Sequence, residues 1–434
     1  MSAFDADWLA ARRWFRTKAR PLAAVAVEDV APLGVGGSVL MVLRAEHAGG
    51  GADRYLVPAV VPEGAAAREP ADGDGTWRAL VGAIAEGASA AAEHGHFRFE
   101  PTASLGALLP EGATAAGRLE ERRLGVEQSN TSVRLGDRLI LKVYRLLEPG
   151  TNPEVEVNAI LTDRGFRWAP RLAGSGSWVP DEGEPATAVM LQELVPARGD
   201  GWAWMLASLS TPPQGPLEAL AGVAQIAGIT AEMHAALAAR PERPGFPARP
   251  AERHEARAWR EAADRELDAA LAVLGGRERE RLEAVSGEIR ARFAAMEAAE
   301  GVMVHRIHGD YHLGQLLRTE EGFVVVDFEG EPGRPLAARR LPGSPLRDVA
   351  GMLRSLDYAV RTAEREGPDG FAHGAWLADA RSSFVGAYGG EAVAHAALLA
   401  AFEAEKACYE VRYEANNRPG WTWLPIEALE RLAR

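Results

Sequence analysis

The run His308-Gly309-Asp310, followed by Gln315 and then by Phe323-Val324-Val325-Val326-Asp327-Phe328-Glu329-Gly330, constrains this chain more than any other stretch. The β-branched segment reads as a short buried strand that ends on Asp327, and Gly309 marks a tight turn before Asp310. Two carboxylates and an amide supply hard oxygen donors, a set that suits one magnesium-bound phosphate. In phosphoryl transfer the protein does little covalent chemistry; it positions the acceptor and neutralises charge. On this reading Asp310 faces the acceptor hydroxyl and takes its proton, while Gln315 and Asp327 hold Mg2+. His308 braces the loop through ring hydrogen bonds. Taken singly, each Asp beside Gly reads as a turn or cap residue; the whole constellation favours chemistry. His305, His308 and His312 also suggest zinc, but Gly309-Asp310 interrupts the helix that would align them, and neither HExxH nor a Cys-rich set is present.

Segments 308–318 and 324–359, together with Glu410 to Trp423, resemble the catalytic region of bacterial maltokinases and of the related actinobacterial glucosamine kinases. The resemblance runs from about Gly117 onwards. It is weaker earlier, where Arg13-Trp14-Phe15-Arg16-Thr17-Lys18 partly matches the Trp-containing opening of maltokinases. It implies an α+β, bilobal, protein-kinase-like (aminoglycoside-phosphotransferase-like) fold with an N-terminal α+β cap and a mainly helical C-terminal lobe. The expected divisions are a cap over 1–98, a β-rich nucleotide lobe over 99–198, and a catalytic and acceptor lobe over 199–434. The texture of the chain agrees. Ala23–Val30, Gly37–Arg44 and Arg54–Val61 read as strands divided by glycine turns. Beyond Gly201, Ile226, Ile229, Met233 and Leu237 recur at helical spacing, and 251–300 splits at Gly275-Gly276 into two amphipathic helices. His234, on the first helical stretch, reads as a core histidine.

Lysine is scarce: Lys18, Lys142 and Lys406 are the only three among 48 basic residues. Lys142 lies in the apolar strand pattern Leu139–Tyr144, where an unpaired charge is costly, so it wants an anion. Kinase-like folds supply ATP phosphates and a helix carboxylate. Glu156 is the expected carboxylate and Glu154 the reserve, since Pro153 opens a helix. Neither GxGxxG nor GxxxxGK[ST] occurs. The loop Glu127-Gln128-Ser129-Asn130-Thr131-Ser132 offers hydroxyl, amide and turn N–H groups to phosphate instead. Ala188–Pro196 reads as a strand leading to a linker, making Gln192, Glu193 and Val195 candidates for adenine contact by position.

For the acceptor, Glu410 and Glu414 are spaced to share a helical face, and Asn417, Trp421 and Trp423 follow. Carboxylates and amides bond sugar hydroxyls and an indole covers a pyranose face, so the resemblance makes this cluster, with His312, Glu329 and Arg347, the expected sugar site. The acidic cluster favours glucosamine phosphorylated at its 6-hydroxyl. Maltose going to maltose 1-phosphate, an aminoglycoside, and a nucleotide-binding pseudoenzyme are the alternatives. A formal net charge of -13 argues against nucleic acid or an anionic membrane as partner. The single Cys408 fits a reducing compartment, so the cytoplasm is expected, with a monomer as the default where the sequence does not reveal oligomeric state.

Overall fold

The structure is a computed structural model that describes residues 4–18, 20–125, 129–211, 213–239, 245–366 and 373–434. The chain forms two compact units. The first comprises residues 1–165, 169–195 and 335–337; the second comprises 166–168, 196–334 and 338–434.

In the first unit, strands β1 (Leu22–Pro32), β2 (Ser38–His47) and β3 (Ala52–Val60) form an antiparallel three-stranded sheet. A seven-stranded sheet holds β4 (Ser89–Ala91), β5 (Gly95–Pro101), β6 (Glu121–Arg123), β7 (Asn130–Leu135), β8 (Leu139–Tyr144), β9 (Leu172–Pro180) and β10 (Ala186–Glu193), in the order β4-β5-β9-β10-β8-β7-β6. Residue 98, the expected edge of the cap, falls inside β5, which pairs directly with β9. Strand alternation explains the core: Val133, Leu135, Leu139, Leu141 and Val143 all turn to one face and are buried with Trp77, Phe97 and Phe99.

A buried arginine ties the cap segments to β7. Arg145 donates to Thr131 Oγ1 at 2.9 Å and to Glu69 Oε1 at 2.8 Å, and lies 4.7 Å over the Trp14 ring. Burial pushes its guanidinium down to about 10, against the opposing pull of Glu69.

The second unit is mainly helical. The stretch after residue 251 forms helices Arg253–Val273 and Gly276–Arg292, parting at Leu274-Gly275. Helix Gln214–Ala238 is long and apolar enough to cross a membrane by length and composition, but its Ile226, Ile229, Met233 and Leu237 are buried and it packs along helix His373–Tyr388. Helix Ala396–Asn417 packs against Leu346–Glu366, Arg253–Val273 and Trp423–Leu432. It carries the acids Glu403, Glu405, Glu410 and Glu414, which pair with Arg381, Arg347, Arg354 and Arg418 respectively. Arginine richness thus has a structural use, since the planar guanidinium satisfies an acid deep in a helical core.

Candidate active site

In the second unit, β11 (Arg249–Pro250) pairs with β12 (Met303–Val304), and β13 (Leu316–Arg318) pairs with β14 (Phe323–Val325) in the short hairpin that places the metal candidates. Leu316 is opposite Val325, so Gln315 and Val326 meet at the open end of this hairpin, where Val326 N–H donates to Gln315 O at 3.0 Å. Asp327 is the next residue, and Gln315 Nε2 reaches its Oδ2 at 3.3 Å. Twelve residues of separation collapse to contact because the hairpin is short. Asp327 is the one non-glycine at positive φ among the described residues, at 67°. That conformation costs about 1–2 kcal/mol and persists where surrounding structure holds it, as at ligand clamps. The Asp327 carboxylate and the Gln315 amide each carry a hard oxygen donor of the kind magnesium takes, and the hairpin keeps the two side chains adjacent.

The loop bearing Asp310 is pinned from below. Gly309 takes φ 84°, and a side chain there would sit 3.3 Å from Gly330 Cα. Asp348, fully buried at the start of helix Leu346–Glu366, accepts from His308 N–H at 2.8 Å and from Gly309 N–H at 2.9 Å. Its carboxylate also meets His234 Nε2 at 3.0 Å, and Tyr388 bonds the other ring nitrogen. Burial alone would raise the Asp348 carboxyl; the His234 hydrogen bond and charge hold it below its ordinary range. His308 closes the frame through Nε2 to Val326 O at 3.0 Å, linking the Asp310 loop to the Asp327 strand. Substituting Asp348→Asn sets an amide NH2 against a backbone N–H. It is expected to cost about 2–3 kcal/mol of stability and to lower kcat about tenfold or more, read by thermal melting and steady-state rates.

Asp310 Oδ1 lies 3.3 Å from Lys406 Nζ, on helix Ala396–Asn417. Burial alone would lower the Lys406 ammonium; Asp310, Glu331 and Glu410 together hold it above its ordinary value. Asp310 opens into a cavity of about 600 Å³ whose wall includes Trp259, Glu331, Arg347, Glu405, Lys406 and Tyr409. Lys406 and Asp348 are the residues that sequence reasoning missed. Lysine scarcity singled out Lys406 in principle; Asp348 gave no local signal.

The expected acceptor residues divide. Arg347 lines the cavity, paired to Glu405 at 2.8 Å and set 4.4 Å over Phe402. His312 caps the turn Leu313–Gln315 by accepting from Gly314 N–H at 3.1 Å, and burial lowers its pKa. Glu329 is buried and its carbonyl accepts from Arg339. Glu410, Glu414, Asn417 and Trp421 do not line that cavity. Phe402, Glu405, Lys406 and Tyr409 form the facing stripe; Glu410, one position round the helix from Tyr409, takes Arg354 at 2.6 Å. Glu414 takes Arg418 at 2.6 Å, Asn417 bonds Tyr413 O, and Arg418 lies 5.4 Å from the Trp421 ring. Glu410 nevertheless lies one helical turn beyond Lys406 and within its electrostatic reach.

In the first unit, Lys142 sits on β8 between Ser132 on β7 and Met190 on β10. Its Nζ lies 2.6 Å from Glu154 Oε2, which also accepts from Tyr144 OH at 2.8 Å. The carboxylate on the ammonium is therefore the reserve candidate. Helix Pro153–Asp163 is capped by Asn152, and Glu156, about 200° further round it, does not share the face of Glu154. Asn130, Ser132 and Lys142 share one sheet face by register. Thr131 is on the opposite face, buried under Arg145, so its hydroxyl is not offered to phosphate; the strand period of two decides this. Ser129 lies just before β7, while Glu127 and Gln128 fall outside the described residues. Glu193 is engaged by Arg171 through its side chain at 2.8 Å and its N–H at 2.9 Å, which removes that N–H as an adenine donor. Gln192 shares the Lys142 face and keeps a buried Oε1 with no partner; Val195 closes the unit.

A pinned Asp facing a cavity, a strained Asp beside an amide, and a strand lysine on a helix carboxylate are the parts a phosphotransferase requires. Residues 120–378 match the phosphotransferase enzyme family (APH), and the chain belongs to that family. Residues 8–92 match the maltokinase N-terminal cap domain. Among its relatives, the glucosamine kinase of Streptacidiphilus jiangxiensis is 32% identical over 416 residues, covering 92% of this chain and 89% of the relative. The glucosamine kinase of Mycolicibacterium smegmatis is 33% identical over 417 residues, covering 88% and 96%. A solved glucosamine kinase in complex with glucosamine, ADP and inorganic phosphate is 29% identical, with a TM-score of 0.76 and 100% of both chains covered. A crystal form of glucosamine kinase gives a TM-score of 0.78 at 29% identity, covering 98% and 99%.

Proposed function

We propose that this chain transfers the terminal phosphoryl group of ATP to the 6-hydroxyl of glucosamine, in the cytoplasm and with magnesium as the accompanying ion. The observation that carries the reading is Asp310, pinned by Asp348 and contacted by Lys406 at the mouth of an acid-bearing cavity. Asp310 accepts the hydroxyl proton as the bond to phosphorus forms. Lys406 fixes that carboxylate and adds positive charge beside the path of the phosphoryl group. Gln315 and Asp327 hold magnesium, which when bound neutralises phosphate charge. Lys142, oriented by Glu154, contacts phosphate oxygens together with Ser129, Asn130 and Ser132, and Gln192 and Val195 border adenine.

The amino group of the sugar calls for carboxylates. Glu331 and Glu405 supply them in the cavity wall; Glu410, Glu414, Asn417 and Trp421 lie outside it, with Glu410 and Glu414 held by Arg354 and Arg418. A charge-assisted hydrogen bond is worth about 1.5–3 kcal/mol, or roughly 10–100-fold in discrimination against glucose. The match to a maltokinase cap favours maltose as the second reading. ADP formation is measured with glucosamine, glucose, maltose and kanamycin in turn. Glucosamine is expected to give a kcat/KM at least about tenfold above glucose. Preference for maltose would transfer the assignment to maltose 1-phosphate synthesis, and no acceptor-dependent ADP would leave a nucleotide-binding pseudoenzyme.

A further inference from the structure

Four aromatic side chains line the cavity of Asp310: Trp259, Tyr311, Phe402 and Tyr409. Three of them are already engaged. Tyr311 is 2% exposed, with its hydroxyl bonded to Thr230 and its ring packed 5.3 Å from that of His308. Phe402 is equally buried and carries the Arg347 guanidinium 4.4 Å over its ring. Tyr409 has Lys406 at 4.7 Å and Arg412 at 5.3 Å from its ring, so cations already take its π-system.

Trp259 differs. It is half-buried on helix Arg253–Val273, and its neighbours on the cavity side of that helix include Ala258 and Ala262, both too short to cover an indole. Its Nε1 has no hydrogen-bond partner among the described residues and is not buried, so the edge of the ring is open to water. Phe402, itself buried, meets the indole at 65° with centroids 5.7 Å apart and supports it. Arg347 lies 5.9 Å from the indole but 4.4 Å from Phe402, so its charge is seated on the phenyl ring and leaves the indole largely uncovered. Arg347 directly precedes Asp348, whose carboxylate holds the Asp310 loop, so this wall is tied to the catalytic carboxylate. An indole left against water is unfavourable. In a cavity rich in charged groups it suits an occupant with an apolar face and a polar rim.

We propose that Trp259 is the platform of the acceptor site, its indole covering the C–H face of the pyranose whose 6-hydroxyl meets Asp310. The inference rests on the sugar-kinase reading above and adds to it the residue that selects for a ring. A pyranose chair presents axial C–H groups on its faces and hydroxyls around its rim, so a face lies on the indole while the rim meets the charged side chains of the wall. Trp421, the indole expected there from the sequence, lies outside the cavity.

Steady-state kinetics of the full chain with ATP and glucosamine are compared for the wild type, W259F and W259L. W259L keeps apolar bulk without a flat ring. It is expected to raise KM for glucosamine at least about tenfold while kcat stays within about threefold, and W259F, which keeps a ring, to recover most of the loss. An unchanged KM in W259L overturns the platform. So does a fall in kcat without a rise in KM, shared equally by both variants, which is the mark of a purely structural indole. If W259L gives no cooperative melt, W259H replaces it, with an expected rise in KM of about threefold or more and an unchanged KM again overturning the platform. A wild type that phosphorylates maltose or glucose in preference overturns glucosamine as acceptor but not the platform, which is then judged by the same shifts with that sugar. A wild type with no pyranose acceptor overturns both.

Discussion

Asp310→Asn is expected to lower kcat by roughly three orders of magnitude while ATP affinity stays nearly unchanged. The amide keeps the shape of the carboxylate and one acceptor oxygen but cannot take a proton as the acceptor attacks. Its loop remains fixed by Asp348 and His308, so the loss is one of chemistry and not of folding. The residues proposed for nucleotide and for magnesium, Lys142 and the Gln315–Asp327 pair, are left in place by the substitution. Single-turnover rates and equilibrium nucleotide titration separate the two quantities. A loss of only a few-fold in kcat would remove Asp310 from proton transfer and leave it a positioning group.

The second large effect is expected at Asp327. Replacing it with Ala removes a carboxylate from the Gln315–Asp327 pair and puts a residue without a polar side chain at φ 67°. Magnesium-dependent ATP binding should fall below detection, at least about a hundredfold, while magnesium-free nucleotide binding through Lys142 persists weakly. The folded chain should change little in stability, because an Ala in that conformation costs only about 1 kcal/mol more than a glycine. Asp327→Gly separates the two contributions: it relieves the backbone and still lacks the ligand. Unaltered magnesium dependence in both variants would place the ion elsewhere.

Much of this site was legible because its parts are local. Register in the Leu316–Val325 hairpin brings Gln315 to Asp327, and strand alternation sets Lys142 among Asn130 and Ser132. Both follow from a period of two and short turns. Errors arose where rotation or tertiary packing decides. Two positions along a helix separate Glu154 from Glu156 by more than half a turn, and one position along β7 sends Thr131 to the opposite face. Asp348 lies 40 residues from the loop it holds, and nothing nearby in sequence distinguishes it from a surface acid. The cluster from Glu410 to Trp421 illustrates a different limit: helical spacing correctly groups Glu410 with Glu414, but cannot say that Arg354 and Arg418 already hold them. The two-helix division after residue 251 was readable from its glycines, whereas the sheet containing β5 crossed the boundary expected at residue 98, since β5 finds its partner β9 more than seventy residues downstream.

The central claim is that Asp310 activates a primary hydroxyl of an aminosugar, and the product reports on it directly. The chain is incubated with ATP, magnesium and glucosamine, and the product is examined by phosphorus–proton correlation NMR. The account predicts a single new phosphomonoester coupled to the two protons on carbon 6. Phosphorus coupled to the anomeric proton, or inorganic phosphate as the sole new species, would contradict it.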